Sequence, residues 1–450
     1  MPEVLIEPTC GLGAFIHAGL KHFSPLQHCI GVEIYPPYCA AIQSSVDAHY
    51  EAKVHIHCAD IFTTNFASFL PINQAPTLIL GNPPWATNSA LQGQNLPEKS
   101  NIKQLSGMDA LTGKSNFDIA EFITIKLLKE CAGKNVVLAL ILKNSVIRNL
   151  LEAAPLLGLS ISNAEAFTID TKRYFGVDVA ASLFLCRCFP SESSVQCAFQ
   201  DFDNQNIQTK HIGWYGNGKS RFVADVKAYS DVAHLDGTSP FVWRQGIKHD
   251  AAAVMELTRT ETGWVNNAGT VVKTEADMIF PLVKSTQAAR SNGVITETPR
   301  AVIVPQRTIG ADTDALALTQ PCLYAYLQAN EVVFAARKSS IYRNKPKFSI
   351  FGVGDYSFKL YKVAVSGLHK KPVFTLIFPI DGKPVMLDDT CYFLGFDTLE
   401  EAQRIHQAFQ RPEVASFLAA TAFLDAKRPF TKELLMRLDI GQLVATMNTP

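Results

Sequence analysis

Five short runs dominate the first 190 residues: VLIEP (4–8), CIGVEI (29–34), VHIHCAD (54–60), TLILGN (77–82) and NVVLALIL (135–142) are apolar almost without interruption. A strand wetted on one face alternates polar and apolar residues, whereas a strand buried on both faces does not. Apolar residues at helical spacing fill the intervals, as in GAFIHAGLKHF and FDIAEFITIKLLKECA. Doubly buried strands alternating with helices predict an α/β fold, a doubly wound, Rossmann-like parallel sheet covered by helices. AEAFTI (164–169) and VAASLFLCRC (179–188) read as its terminal antiparallel hairpin.

After about residue 190 the texture turns polar, with NQN, YGNGKS and LDGTSP. The sequence therefore predicts a first domain over 1–190, a connector over 191–239 and a mixed α+β domain over 240–450. Within the last, Asp381-Gly382 between FTLIFPI and KPVML predicts a hairpin, Thr398 and Glu401 spell a helix capping box, and a further helix starts near Thr431. With 47% apolar residues in 450, each domain can bury its own core, which excludes a disordered tail or a fibre. The ten cysteines contain no CxxC pair and no Cys/His set at zinc spacing, so no metal is expected, and Cys186 and Cys188 read as buried thiols. The opening MPEVLIEPTC has no basic leader, and no apolar run approaches membrane length. A reducing cytoplasm and no membrane partner are the expectation.

Chemistry concentrates where the strands end. The first runs into Glu7-Pro8-Thr9-Cys10-Gly11-Leu12-Gly13, where glycines permit a sharp turn beside a helix N-terminus. The second ends at Glu33, twenty residues past Gly13, the offset at which a carboxylate meets a ribose hydroxyl pair. The third ends at Asp60, followed by Ile61 and Phe62. There a carboxylate can accept from an adenine amino group while apolar neighbours sandwich its ring. Each carboxylate alone reads equally well as a helix cap. The fourth strand ends in Gly81-Asn82-Pro83-Pro84-Trp85. Its prolines fix a backbone in which the Asn82 amide oxygen and the Pro83 carbonyl can point at one planar NH2 group, drawing its hydrogens out of plane and freeing the nitrogen lone pair.

In these motifs the chain resembles the S-adenosylmethionine-dependent amino methyltransferases, specifically the gamma-type N6-adenine DNA methyltransferases of restriction-modification systems. EPTCGLG looks like their first motif, Glu33 and Asp60 like their second and third, and GNPPW like their catalytic motif. The resemblance implies S-adenosylmethionine held by Glu7, Pro8, Thr9, Gly11, Gly13, Glu33, Asp60, Ile61 and Phe122. It also implies an adenine flipped from double-stranded DNA, bound by Asn82, Pro83 and Pro84 and stacked on Trp85 with Phe175 beside it. Without the resemblance, Phe175 reads as a core aromatic. Such enzymes carry a further cofactor motif upstream of the first, whereas Met1 lies six residues before Glu7. The expectation is that preceding residues or a partner chain supply that segment, or that donor affinity is reduced. A cognate nuclease and a bacterial cytoplasmic setting are further expectations.

The formal net charge is zero, 41 basic against 41 acidic residues, which at first argues against a nucleic-acid partner. The charge is unevenly sorted. Residues 1–190 hold 13 basic and 15 acidic residues, a balance of −2, whereas 337–371 hold nine basic residues and only Asp355, a balance of +8. Aromatic residues interleave with these charges, and Trp243-Arg244-Gln245-Gly246-Ile247-Lys248-His249-Asp250 forms a second cluster. Arg244, Lys248, Arg337, Lys338, Arg343, Lys345 and Lys347 are the expected DNA contacts, the competing reading being a solvated surface with its aromatics facing the core. Glu51-Ala52-Lys53 has a nuclease-like spelling but reads as a solvated helix end. Two other functions use related features: glutamine methylation in a protein or guanine amino methylation in RNA, and a non-catalytic DNA-binding defence subunit.

Overall fold

The computed structural model describes residues 1–85, 118–189, 195–204, 209–216, 221–261 and 263–447. They divide into two compact units, Met1–Ser230 and Asp231–Pro450.

The first unit is built on a ten-stranded sheet. Its strands are β1 (Val4–Glu7), β2 (His28–Glu33), β3 (Val54–Cys58), β4 (Thr77–Gly81), β5 (Val136–Lys143), β6 (Ser162–Ile169), β7 (Ala181–Arg187), β8 (Gln196–Asp201), β9 (Lys210–Tyr215) and β10 (Arg221–Val223). Their order is β10-β9-β8-β6-β7-β5-β4-β1-β2-β3. The first five strands are parallel, and all four residues of β1 are buried, as the unbroken apolar runs require. β7 pairs antiparallel with both β5 and β6, so the predicted hairpin strands are neighbours. They do not end the sheet. Three more strands, from β8 to β10, extend it through residues that the polar texture assigned to a connector, and the first unit continues to Ser230. Residues 190–194, 205–208 and 217–220 of that stretch lie outside the described residues.

Helices connect the parallel strands. α1 (Ala14–His22) follows β1, and α2 (Pro36–Ser45) opens on two prolines after β2. Proline suits this first turn because its missing N–H has no partner there in any case. α3 (Ile119–Glu130) precedes β5 and is capped by Asp118, whose Oδ1 accepts the Ala120 N–H at 3.1 Å, a contribution of about 1 kcal/mol. α4 (Asn144–Leu157) follows β5, and the short α5 (Thr171–Phe175) separates β6 from β7. Glu51–Lys53 forms an exposed or half-exposed 3-10 turn in which Lys53 Nζ donates to the Leu26 carbonyl at 2.9 Å, a structural role.

The second unit contains two five-stranded sheets. β11 (Arg244–Gln245), β15 (Val294–Ile295), β17 (Tyr361–Ser366), β18 (Thr375–Ile377) and β20 (Cys391–Phe396) form one, in the order β11-β20-β17-β18-β15. β12 (Glu256–Thr260), β13 (Gly263–Asn266), β14 (Ile279–Val283), β16 (Arg300–Ile303) and β19 (Met386–Leu387) form the other, in the order β13-β12-β16-β14-β19. The predicted turn at Asp381-Gly382 is present, both residues having positive φ, and Ile380 and Lys383 exchange backbone hydrogen bonds of 3.0 and 2.9 Å. Its two flanking strands then part, β18 to the first sheet and β19 to the second. Thr398 accepts the Glu401 N–H before a helix over Leu399–Phe409, and Thr431 caps Lys432–Arg437. All ten cysteines are free thiols. No described helix is long and apolar enough to cross a membrane.

Candidate functional site

Parallel strands of an open α/β sheet present their carboxyl ends along one edge, and ligands bind where the strand order reverses. Here that reversal lies between β1 and β4, which pair directly through Val4, Leu5 and Ile6 with Thr77, Leu78 and Ile79. The loop after β1 and the loop after β4 are therefore adjacent. Pro8 of the first packs on Gly81 of the second, since a Cβ placed on Gly81 would lie 3.2 Å from Pro8 Cδ.

The first loop is held by carboxylates. Glu33, at the end of β2, accepts the Gly11 N–H through Oε2 at 2.8 Å and the Tyr35 N–H through Oε1 at 2.9 Å. A carboxylate has about four acceptor positions, so two remain for ligand hydroxyls. Gly11 and Gly13 both have positive φ, and nothing lies within 4 Å of a Cβ built on Gly11. Thr9 Oγ1 is buried without a hydrogen-bond partner. Asp60 Oδ1 accepts the Phe62 N–H at 2.8 Å, and the Phe62 ring meets Phe122 edge to face at 5.2 Å. Phe122 thus stands with Asp60 and with Phe62, one of the two apolar neighbours that the sequence places after Asp60.

Glu7 serves the scaffold directly. It is 3% exposed and its Oε2 accepts the Ile16 N–H of α1 at 3.0 Å, capping a helix whose N-cap, Gly13, offers no side chain. Burial pushes its carboxyl pKa up to about 8, against the lowering effect of hydrogen bonds from Ile16 and Phe15, with Glu33 adding repulsion.

At the end of β4, Asn82 and Pro84 are exposed, Pro83 is buried and Trp85 is half-buried. The Trp85 indole N–H donates to the Ile141 carbonyl of β5 at 3.2 Å, which fixes the ring plane. Phe175 lies at 6.4 Å from that ring at an interplanar angle of 72°. It is 44% exposed, so the core reading of Phe175 fails. The residue ends α5, and the following turn is tied down by Thr171 Oγ1, which donates to the carbonyls of Val177 and Val179 at 2.9 and 2.7 Å. Sequence reasoning also passed over an ion pair at 2.6 Å between Lys143, at the end of β5, and Asp118. An Asp before a helix is spelled like an ordinary cap, and only the fold brings Lys143 to it.

The expected DNA contacts of the second unit divide. Arg337 is not a free cation. Its guanidinium donates to the carbonyls of Phe334, Ser349, Lys347 and His249 at 3.0, 2.7, 2.8 and 3.4 Å and lies 3.7 Å from the Tyr342 ring centroid. It bolts the segment 337–349 together, with most of its donors spent on those carbonyls. Lys347 pairs with Glu331 at 2.9 Å and Lys248 with Asp250 at 3.0 Å. Lys359 pairs with Asp397. Lys362 is 1% exposed and donates to the Lys359 carbonyl at 2.7 Å, and burial lowers its pKa to about 7. Lys338, Arg343 and Lys345 are exposed. Arg244 is exposed and lies over the Tyr356 ring at 4.7 Å. His249 is buried, its Nδ1 accepting the Ala251 N–H at 3.2 Å and its Nε2 lying 3.6 Å from Glu256. Burial works to raise the Glu256 pKa, but His249 and Lys284 together hold it down to about 2. The adjacent Asp250 takes a positive φ, so the pair is a turn.

No protein-family profile matches the chain. A curated relative, the type II methyltransferase M.NspV from a Nostoc species, is 37% identical over 446 residues, which cover 98% of this chain and 92% of the relative. Among solved structures, the type IIL restriction-modification enzyme MmeI, determined in complex with DNA, aligns with a TM-score of 0.61 at 13% identity. That likeness of fold extends over 96% of this chain and 62% of the MmeI chain.

Proposed function

Because the chain belongs to the type II methyltransferases of restriction-modification systems, with S-adenosylmethionine as methyl donor, we propose that it methylates the N6 amino group of an adenine flipped out of duplex DNA. The observation that carries this reading is the adjacency of the two loops, Pro8 against Gly81, which sets the Gly81–Trp85 segment beside the donor loop.

The residues present fit the donor. An unpartnered Thr9 hydroxyl, spare acceptor positions on Glu33 and Asp60, open room over Gly11 and the Phe62–Phe122 wall match its polar groups, its ribose and its adenine. When bound, the donor supplies a methyl carbon on a positively charged sulfur. Glu33 orients the ribose hydroxyls, Asp60 accepts from the adenine amino group and Phe122 closes the ring site. On the acceptor side, the Asn82 amide oxygen and the Pro83 carbonyl accept the two hydrogens of the target amine, leaving its lone pair directed at the methyl carbon. A bound donor would supply its methyl group to that lone pair, its sulfur would keep the electron pair of the broken carbon–sulfur bond, and the surplus amine proton would pass to solvent. Such in-line transfer depends chiefly on positioning. Trp85 and Phe175 offer a face and an edge to the extrahelical base, and stacking of about 1 to 3 kcal/mol per base offsets a flipping cost of a few kcal/mol. Lys338, Arg343 and Lys345 contact phosphates.

The test is transfer of labelled methyl from S-adenosylmethionine to duplex DNA, with the product base identified by mass spectrometry. N6-methyladenine is expected, and Asn82→Ala should lower the rate on the order of 100-fold or more without loss of melting temperature, because the side chain is exposed. Label on protein or RNA alone, or on cytosine, would overturn the assignment.

A further inference from the structure

Beyond the phosphate contacts, we propose that Arg244 and Arg307 are the base-reading arginines of the second unit, each offering its guanidinium edge to the O6 and N7 acceptors of a guanine in the major groove. The inference rests on duplex DNA being the substrate.

Both guanidinium groups lie over rings of one four-residue 3-10 turn, Asp355–Phe358. Arg244 stands 4.7 Å from the Tyr356 ring centroid and Arg307 4.5 Å from that of Phe358. Stacking covers the apolar face of a guanidinium and leaves its in-plane N–H donors uncovered. Among the described residues neither side chain makes an ion pair or a hydrogen bond, and both are exposed. Other stacked arginines differ. Arg173 pairs with Asp203 and Arg259 with Asp381, while Arg337 is consumed by carbonyls.

The platform is rigid on every side. Tyr356 packs on Phe393 at 6.1 Å, and Phe393 is the residue that faces Arg244 in the β11–β20 register. Phe358 packs on Phe280 at 5.5 Å. The turn is locked from behind by Gly352, at φ +70°, where an added Cβ would come within 2.3 Å of the Gly246 carbonyl. Ser357 Oγ closes it by donating to the Gly352 carbonyl at 3.2 Å. Arg307 emerges from a loop bolted by the buried Gln306, which donates to the Ile350 and Thr308 carbonyls at 3.2 and 3.0 Å and accepts the Ile350 N–H at 3.3 Å.

A phosphate needs only a nearby cation, which the free Lys338, Arg343 and Lys345 supply. A planar fork held in one orientation is what a bidentate guanine edge requires, and binding then costs little side-chain ordering. The sequence drew attention to Arg244 only as one charge in a cluster and did not single out Arg307, because its partner ring, Phe358, lies 51 residues further along the chain.

The test uses the full chain with S-adenosylmethionine on a randomised duplex library, methylated positions being read by single-molecule sequencing. Arg244→Lys and Arg307→Lys keep the charge and lose the fork. Each should relax the preference at one G·C pair by about ten- to a hundredfold, at unchanged salt dependence. Arg244→Gln and Arg307→Gln, checked by thermal melting, should relax the same positions. A Lys variant that keeps the wild-type motif, whether its rate falls evenly or not at all, overturns the proposal. If the wild-type chain methylates no duplex, the DNA reading fails and this inference with it, an outcome separate from retained specificity in the variants.

Discussion

Along the carboxyl edge of β1 to β4, the acidic side chains hold backbone N–H groups: Glu7 caps α1, Glu33 pins Gly11 and Tyr35, and Asp60 pins Phe62. In the segment 337–371 the basic side chains instead hold carbonyls or pair with carboxylates outside the segment, Glu331 and Asp397. Of its nine cations, Arg337 and Lys362 donate to backbone oxygens and Lys347 and Lys359 are ion-paired, which leaves Lys338, Arg343, Lys345, Lys370 and Lys371. Both regions spend charge on their own architecture. They differ in what is left over: a carboxylate retains acceptor positions after receiving one N–H, so Glu33 can serve scaffold and ligand together. A guanidinium that has given its donors to four carbonyls has little to offer a phosphate.

The largest effect that could break this comparison concerns Glu7. Its carboxyl pKa is raised by burial from an ordinary 4.5 to about 8, so the folded chain retains a proton that the unfolded chain releases. Stability should therefore fall as pH rises from about 4.5 to 8, by an amount on the order of 5 kcal/mol. Glu7→Gln keeps an acceptor for the Ile16 N–H and should flatten that slope in denaturant titrations across pH. Identical slopes in the two proteins would mean that Glu7 is ionised in the fold and caps α1 as a charge, like Glu33 and Asp60.

Next in size is Arg337→Ala, which strands buried carbonyls and should cost about 2 to 3 kcal/mol. Lys345→Glu should leave the melt within about 0.5 kcal/mol while reducing the salt dependence of DNA binding. The opposite assortment, with Arg337 moving the salt slope and Lys345 the melt, would make Arg337 a DNA contact and Lys345 a structural one.

Lys362→Met tests a buried basic group of the same segment. Burial holds the Lys362 pKa down to about 7, so the unfolded chain binds more protons between about pH 7 and 10.5, and wild-type stability rises across that window. Removing the amine should stabilise the fold on the order of 2 kcal/mol at pH 6, and the gain should shrink toward pH 10. A gain independent of pH would show that the lysine is accommodated in its charged form.

The parallel strands were legible because each is a contiguous run: the observed β1, β4 and β5 begin and end within a residue of the apolar stretches. The strand-end motifs were legible for the same reason, since their chemistry sits on adjacent residues. What escaped depends on distant partners. β8 carries Gln196, Gln200 and Asp201, so no apolar run announces it, and its pairing with β6 and β9 makes it a strand. Arg337 is spelled as one cation among nine, and its use is decided by carbonyls up to 88 residues away. Phe175 reads as core because aromatics usually are, and its exposure follows from the tie between Thr171 and Val179.

The turn at Asp381-Gly382 sends β18 into one sheet and β19 into the other, and β20 then returns to the first. Between Thr375 and Phe396 the chain stitches the two sheets together twice. Neither sheet can therefore fray, be shed or be traded between relatives without tearing the other. Change on this unit therefore falls to individual surface side chains on a frame inherited whole, rather than to exchange of half of it.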